Sequence, residues 1–140
     1  MRKIAVLTCL LAAFSVITVG AMAGTASAFR ADIHFPFYFG SQQLPAGEYV
    51  IEMRALQGGT APSVLLRKQD GTAVGLIFAV PSQNQSKAAG QLQFHRYGNT
   101  YLLSSVSARG YQANLKEAKV EKEFSTQLGA GRVITLTARR

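Results

Sequence analysis

The chain has 140 residues, with 15 Lys or Arg against 7 Asp or Glu, a formal net charge of +8 and a single cysteine. One cysteine excludes a disulfide framework and a multi-thiolate zinc site. The length suits one domain that buries enough of its own surface to fold without staples.

Met1, Arg2 and Lys3 form a short positive segment, Ile4 to Val19 an apolar one, and Ala26-Ser27-Ala28 a small-x-small cleavage site. That order predicts a secretory signal peptide over residues 1–28 and a single β-rich domain over 29–140. A cut after Ala23, at Ala21-Met22-Ala23, is the alternative mature start. The competing reading is an uncleaved anchor, because Ile4 to Ala23 approaches the about 20 residues that span hydrocarbon. Cys9 lies inside the apolar segment and leaves with it, which removes any cysteine nucleophile. Without Arg2 and Lys3 the mature chain keeps 13 basic residues against 7 acidic ones, a charge of +6. The expected location is the periplasm or the extracellular space, where anionic envelope components or another protein are the expected partners. No basic run is interleaved with aromatics, so no nucleic-acid role is expected, and a membrane is met only through the uncleaved precursor.

From Phe29 the sequence alternates. Phe29, Ala31, Ile33, Phe35, Phe37 and Phe39 share one face, and Arg30, Asp32, His34, Pro36 and Tyr38 the other. A period of two over this length predicts a half-buried strand. Pro36 has no N–H to donate and belongs at an edge, bend or bulge. The turn-rich Gln42 to Gly47 leads to a second alternation, with Tyr49, Ile51, Met53 and Ala55 inward and Glu48, Val50, Glu52 and Arg54 outward. After a Gly58-Gly59-Thr60-Ala61-Pro62 loop, Ser63 to Gln69 and Thr72 to Val80 read as strands joined by Asp70-Gly71. The second of these is apolar on both faces, the pattern of a central strand covered on both sides.

Pro81 to Gly90, rich in Ser, Gln and Asn, reads as a loop, and its Asn84-Gln85-Ser86 sequon is too short to carry weight. Gln91 to Tyr97 and Thr100 to Ala108 form a second hairpin through Gly98-Asn99. Asn114-Leu115-Lys116-Glu117 fits a capping box and predicts a helix from about Leu115 to Gln127, with Val120, Phe124 and Leu128 as its apolar stripe. A strand over Lys119 to Gln127 is the competing reading, and Arg132 to Ala138 is a strand under either. About seven short strands and one late helix predict an all-β fold, an antiparallel β-sandwich or small barrel.

Two stretches carry a resemblance: Phe35-Pro36-Phe37-Tyr38-Phe39, and Leu44-Pro45-Ala46-Gly47-Glu48-Tyr49. With the Asp70-Gly71 hairpin, Phe94 to Asn99, Tyr101-Leu102 and the charged Glu121-Lys122-Glu123, the chain resembles a family of small exported bacterial proteins with an alternating Phe-rich first strand and a Leu-Pro-Ala-Gly-x-Tyr turn. The resemblance covers most of the mature chain. It implies the fold and carries over no activity and no functional residue.

Three residues are weak candidates for a metal site. Asp32 and His34, two apart, share the polar face of the first strand with Tyr38, and His95 lies on the polar face of its own. First-row metals take three or four such ligands, so solvated surface residues are the expected reading. No Gly-x-Ser-x-Gly or Ser-x-x-Lys motif occurs, and Ser104-Ser105 sit within a strand. Glu117, Glu121 and Glu123 alternate with Lys116, Lys119 and Lys122, the pattern of a solvated helix face. No catalytic residue and no cofactor are expected. The aromatics should fill the core or line an apolar cavity. The expectation is a non-enzymatic exported β-domain acting by surface interaction; the alternatives are a small barrel-type carrier of an apolar ligand and, third, a metal-dependent enzyme. A Phe-rich first strand left at an edge would also favour self-association.

Overall fold

A computed structural model describes residues 26–54, 61–82, 87 and 89–138. The apolar leader with Cys9, Ala55, Gly58-Gly59-Thr60 and the Asn84-Gln85-Ser86 sequon lie outside the described residues.

The described chain is all-β with one late helix. Its elements are β1 (Ala26–Ile33), β2 (Phe37–Phe39), β3 (Gln42–Leu44), β4 (Gly47–Arg54), β5 (Ser63–Lys68), β6 (Ala73–Pro81), β7 (Gln91–Tyr97), β8 (Thr100–Ala108), β9 (Tyr111–Leu115), α1 (Lys119–Leu128) and β10 (Arg132–Thr137). The seven strands read from the sequence are present, the first of them broken into β1 and β2, and two short ones, β3 and β9, join them. An antiparallel ladder runs β1-β4-β5-β6-β9-β8-β7-β10, and the β2-β3 pair attaches to β8 through a single parallel bridge, Tyr38 to Leu102.

The two halves of this ladder face each other across one hydrophobic core. Phe37 stands edge-on to Tyr49 of β4, with ring centroids 5.4 Å apart, and edge-on to Phe94 of β7 at 5.7 Å. Ile33, Ile51, Val64, Leu66, Leu92 and Val106 are fully buried around it. The alternation that predicts the first strand holds through Ile33 and then breaks at His34 to Pro36, where the prolyl nitrogen cannot continue a ladder. Phe35 instead stacks on Tyr101, with centroids 3.9 Å apart. The two ends of the curled sheet meet at Gly90, which has the Phe29 ring beside it and accepts the Ala138 amide.

Three expectations are corrected. Leu115 is not helical. It pairs with Ala79 at the end of β9, and α1 begins four residues later, at Lys119. The Asn114 capping box does not form, because Asn114 is held in the ladder between Val80 and Ser105 and its side chain accepts from Gln112. The N-cap is Ala118, with no side-chain cap. Second, α1 does not present its acids uniformly to solvent: Glu121 is its buried residue, whereas Leu128 of the expected apolar stripe is exposed. Third, β6 is covered on one side only. Its inward Ala79 is buried, but Leu76, Phe78 and Val80 on the other face are open.

Candidate functional site

The outer surface carries two adjoining features, an apolar stripe on β6 and a polar groove beneath α1. Strand alternation produces the stripe. Ile77 and Ala79 turn inward, so Leu76, Phe78 and Val80 turn outward, with relative exposures of 53%, 61% and 58%. On β5, Leu65 is the direct partner of Leu76 and Ser63 that of Phe78. One strand further, Glu52 and Arg54 of β4 continue these two rows. Glu52 is held between two guanidinium groups, 3.1 Å from Arg67 and 3.3 Å from Arg54. An apolar centre flanked by a fixed ion-pair chain is the result.

The row through Val80 runs on across the sheet to Asn114, Ser105 and Gln93. This row leads into a groove of about 360 Å³ lined by Gln93, His95, Ser105, Asn114, Glu117 and Glu121, among others. On β7, Leu92 and Phe94 enter the core, which turns Gln93 and His95 to the outer side where α1 lies. The ladder bulges between Gln93 and Phe94, so that both Ser104 and Ser105 stand opposite Gln93. Ser105 donates its hydroxyl to the Gln93 side-chain oxygen, and Ser104 to the Gln93 carbonyl, each at 3.0 Å.

Glu121 closes the groove. Its carboxylate bonds Nδ1 of His95 and accepts from the Tyr97 hydroxyl at 3.4 Å. Burial raises the Tyr97 phenol above its ordinary range, and the negative charges of Glu121 and Glu117 act in the same direction. Phe124, one turn along α1, packs between Tyr97 and Tyr38, with centroids 6.2 and 6.3 Å away. The helix is thus seated by one buried carboxylate and one aromatic ring.

Comparison of the chain with family models, with curated proteins and with solved structures finds no match to any of them.

The sequence candidates separate. Asp32 and His34 do lie side by side, with carboxylate and ring nitrogen 3.6 Å apart, on an exposed stretch. His95 belongs with Glu121 instead, and Tyr38 with Phe124. Among the described residues no three His, Cys, Asp or Glu side chains come together as a set that could hold a metal ion. No helix among them is long and apolar enough to cross a membrane. Sequence reasoning did not find the His95–Glu121 pair, for which no local spacing exists. It missed the open side of β6 as well, although the two-faced apolar run from Thr72 to Val80 was its signal.

Proposed function

We propose that the chain is a non-enzymatic exported β-domain that works by surface interaction at the envelope or outside the cell, through the outer face of β6. One observation carries this reading: Leu76, Phe78 and Val80 are consecutive outward residues of one strand, and each is more than half exposed. Scattered apolar side chains are normal on a surface, but a contiguous stripe is the mark of a surface that another body covers. The carrier reading draws less support, because the aromatics that would line a cavity are packed on one another, Phe37 on Tyr49 and on Phe94.

Incorporation of a photo-crosslinking residue at position 78 in the producing cell tests this directly. Adducts are expected at 78 and not at 133, where Val133 is equally exposed but lies on β10. No adduct at 78, or equal adducts at both, would overturn the assignment of the face. Turnover in a broad hydrolase panel that is abolished by Asp32→Ala or His34→Ala would overturn the non-enzymatic reading.

A further inference from the structure

We propose that Arg96 and Arg132 hold the phosphate group of a phosphate monoester, in the pocket between the end of β7 and the loop that leaves α1. The site lies apart from the β6 stripe and does not depend on what that stripe meets.

A pair of like charges carries the proposal. Arg96 and Arg132 are direct partners on the antiparallel strands β7 and β10. Their side chains therefore leave the same face with Cβ atoms about 5 Å apart, an arrangement that weakens a sheet unless something neutralises it. No acid in the chain does so. All seven acidic side chains are among the described residues, and the ion pairs they form go to His34, Arg54, Arg67 and His95. The C-terminus of α1, at Leu128, offers about half a negative charge against two full positive ones. Where two arginines flank one point elsewhere on the sheet, an acid fills it: Glu52 lies 3.1 Å from Arg67 and 3.3 Å from Arg54. In place of an acid, Arg96 and Arg132 line a pocket of about 340 Å³, together with Tyr97, Gly98, Leu128 and Ala130.

Both walls are fixed by the fold. Arg96 donates Nε to the Gly98 carbonyl at 2.7 Å, and its guanidinium lies 5.4 Å from the centroid of the Tyr101 ring, which is itself stacked on Phe35. The terminal nitrogens of Arg96 take no partner among the described residues, so its outer edge is left to bind. On the other wall the chain reaches Arg132 through Gly131, where a Cβ would come 2.8 Å from Cζ of Tyr97. Glycine lets the loop lie that close.

Charge and acceptor number select the ligand. A carboxylate or a phosphate diester carries one negative charge and leaves one arginine unpaired. A terminal phosphate carries close to two at neutral pH, on three acceptor oxygens, and so matches two guanidinium forks.

Isothermal titration of the exported protein, purified from its producing culture, with methyl phosphate, dimethyl phosphate and acetate at one ionic strength is the test. Methyl phosphate should bind one to one, at least tenfold more tightly than either of the others. Arg96→Gln and Arg132→Gln should each weaken it at least tenfold; Arg132 is exposed, so its variant keeps the fold even if Arg96→Gln disturbs the packing on Tyr101. Arg30→Gln, which removes the same charge from β1, should change the affinity less than twofold. Absence of binding, equal binding of the three anions, or equal losses in Arg132→Gln and Arg30→Gln would overturn the site. Vesicles of phosphatidylcholine with phosphatidic acid, a lipid monoester, set beside vesicles with phosphatidylglycerol, a diester, then identify the source. Preferential co-sedimentation with the former places the ester on a lipid, and its absence alongside methyl phosphate binding places it on a soluble molecule.

Discussion

Glu121 and His95 are 26 residues apart in sequence and bonded side chain to side chain, so a single carboxylate ties α1 to the outer face of β7. Glu121 is 7% exposed, and its other partner is the Tyr97 hydroxyl. His95→Ala leaves this carboxylate buried with one weak donor and should cost about 2–3 kcal/mol, whereas Glu121→Gln removes the buried charge and keeps a hydrogen-bonding group beside His95, and should cost nearer 1 kcal/mol. Urea unfolding of the two variants checks the order. No change in either midpoint would mean that α1 is held by Phe124 alone, and equal losses would contradict the extra cost of an unpaired buried charge.

The start and end of the sheet are joined at a glycine. A Cβ placed on Gly90 would lie 2.7 Å from Cγ of Phe29 and 2.9 Å from Cβ of Ala138. Gly90 also accepts the Ala138 amide at 2.9 Å, which limits how far the backbone can withdraw. Gly90→Ala should therefore destabilise by about 1–3 kcal/mol, the range for overpacking a tight contact. Phe29→Leu in the same chain should return part of the loss, and thermal unfolding of the single and double variants measures it. Additive losses would place the strain elsewhere.

Alkaline pH should loosen the fold through two tyrosines. Burial raises the phenol of Tyr49 above its ordinary value of 10.0, and burial with the Glu121 and Glu117 charges raises that of Tyr97. A raised folded-state value means that the native state favours the neutral phenol. That contribution is whole below the unfolded value and is lost as pH climbs through the folded one. Stability should thus fall above pH 10, and less steeply in Tyr49→Phe or Tyr97→Phe. Tyr49→Phe also loses the 2.7 Å bond to the Pro45 carbonyl, about 1 kcal/mol at every pH. Parallel pH profiles of wild type and both variants would contradict this.

Local chemistry made part of the fold legible. Asp70-Gly71 reads as a turn because its own atoms build one: Thr72 donates its amide to the Asp70 carboxylate at 2.8 Å, and Gly71 takes φ +86°, open to glycine without strain. Likewise Gly98 turns β7 into β8 at φ +59°. The β8–β9 hairpin was not read, because Arg109 enters the left-handed region at φ +46°, a conformation that its side chain does not advertise. With that hairpin unseen, Asn114 looked like a helix cap, although the ladder claims it. Charge patterning failed at Glu121 for a similar reason: a helix neighbour is visible four residues away, but a partner on another strand is not. Of the candidate site, the Asp32–His34 proximity followed from strand alternation, whereas the partner of His95 depends on where α1 lands.

Native mass spectrometry of the protein recovered from its secreted fraction, wild type beside Phe78→Asp, tests the interaction surface most directly. Phe78 is 61% exposed and contributes little to the core, so the substitution should leave the fold within about 0.5 kcal/mol. The account predicts that wild type carries a non-covalent companion, which Phe78→Asp loses. A bare chain in both samples, or a companion retained in the variant, would contradict it.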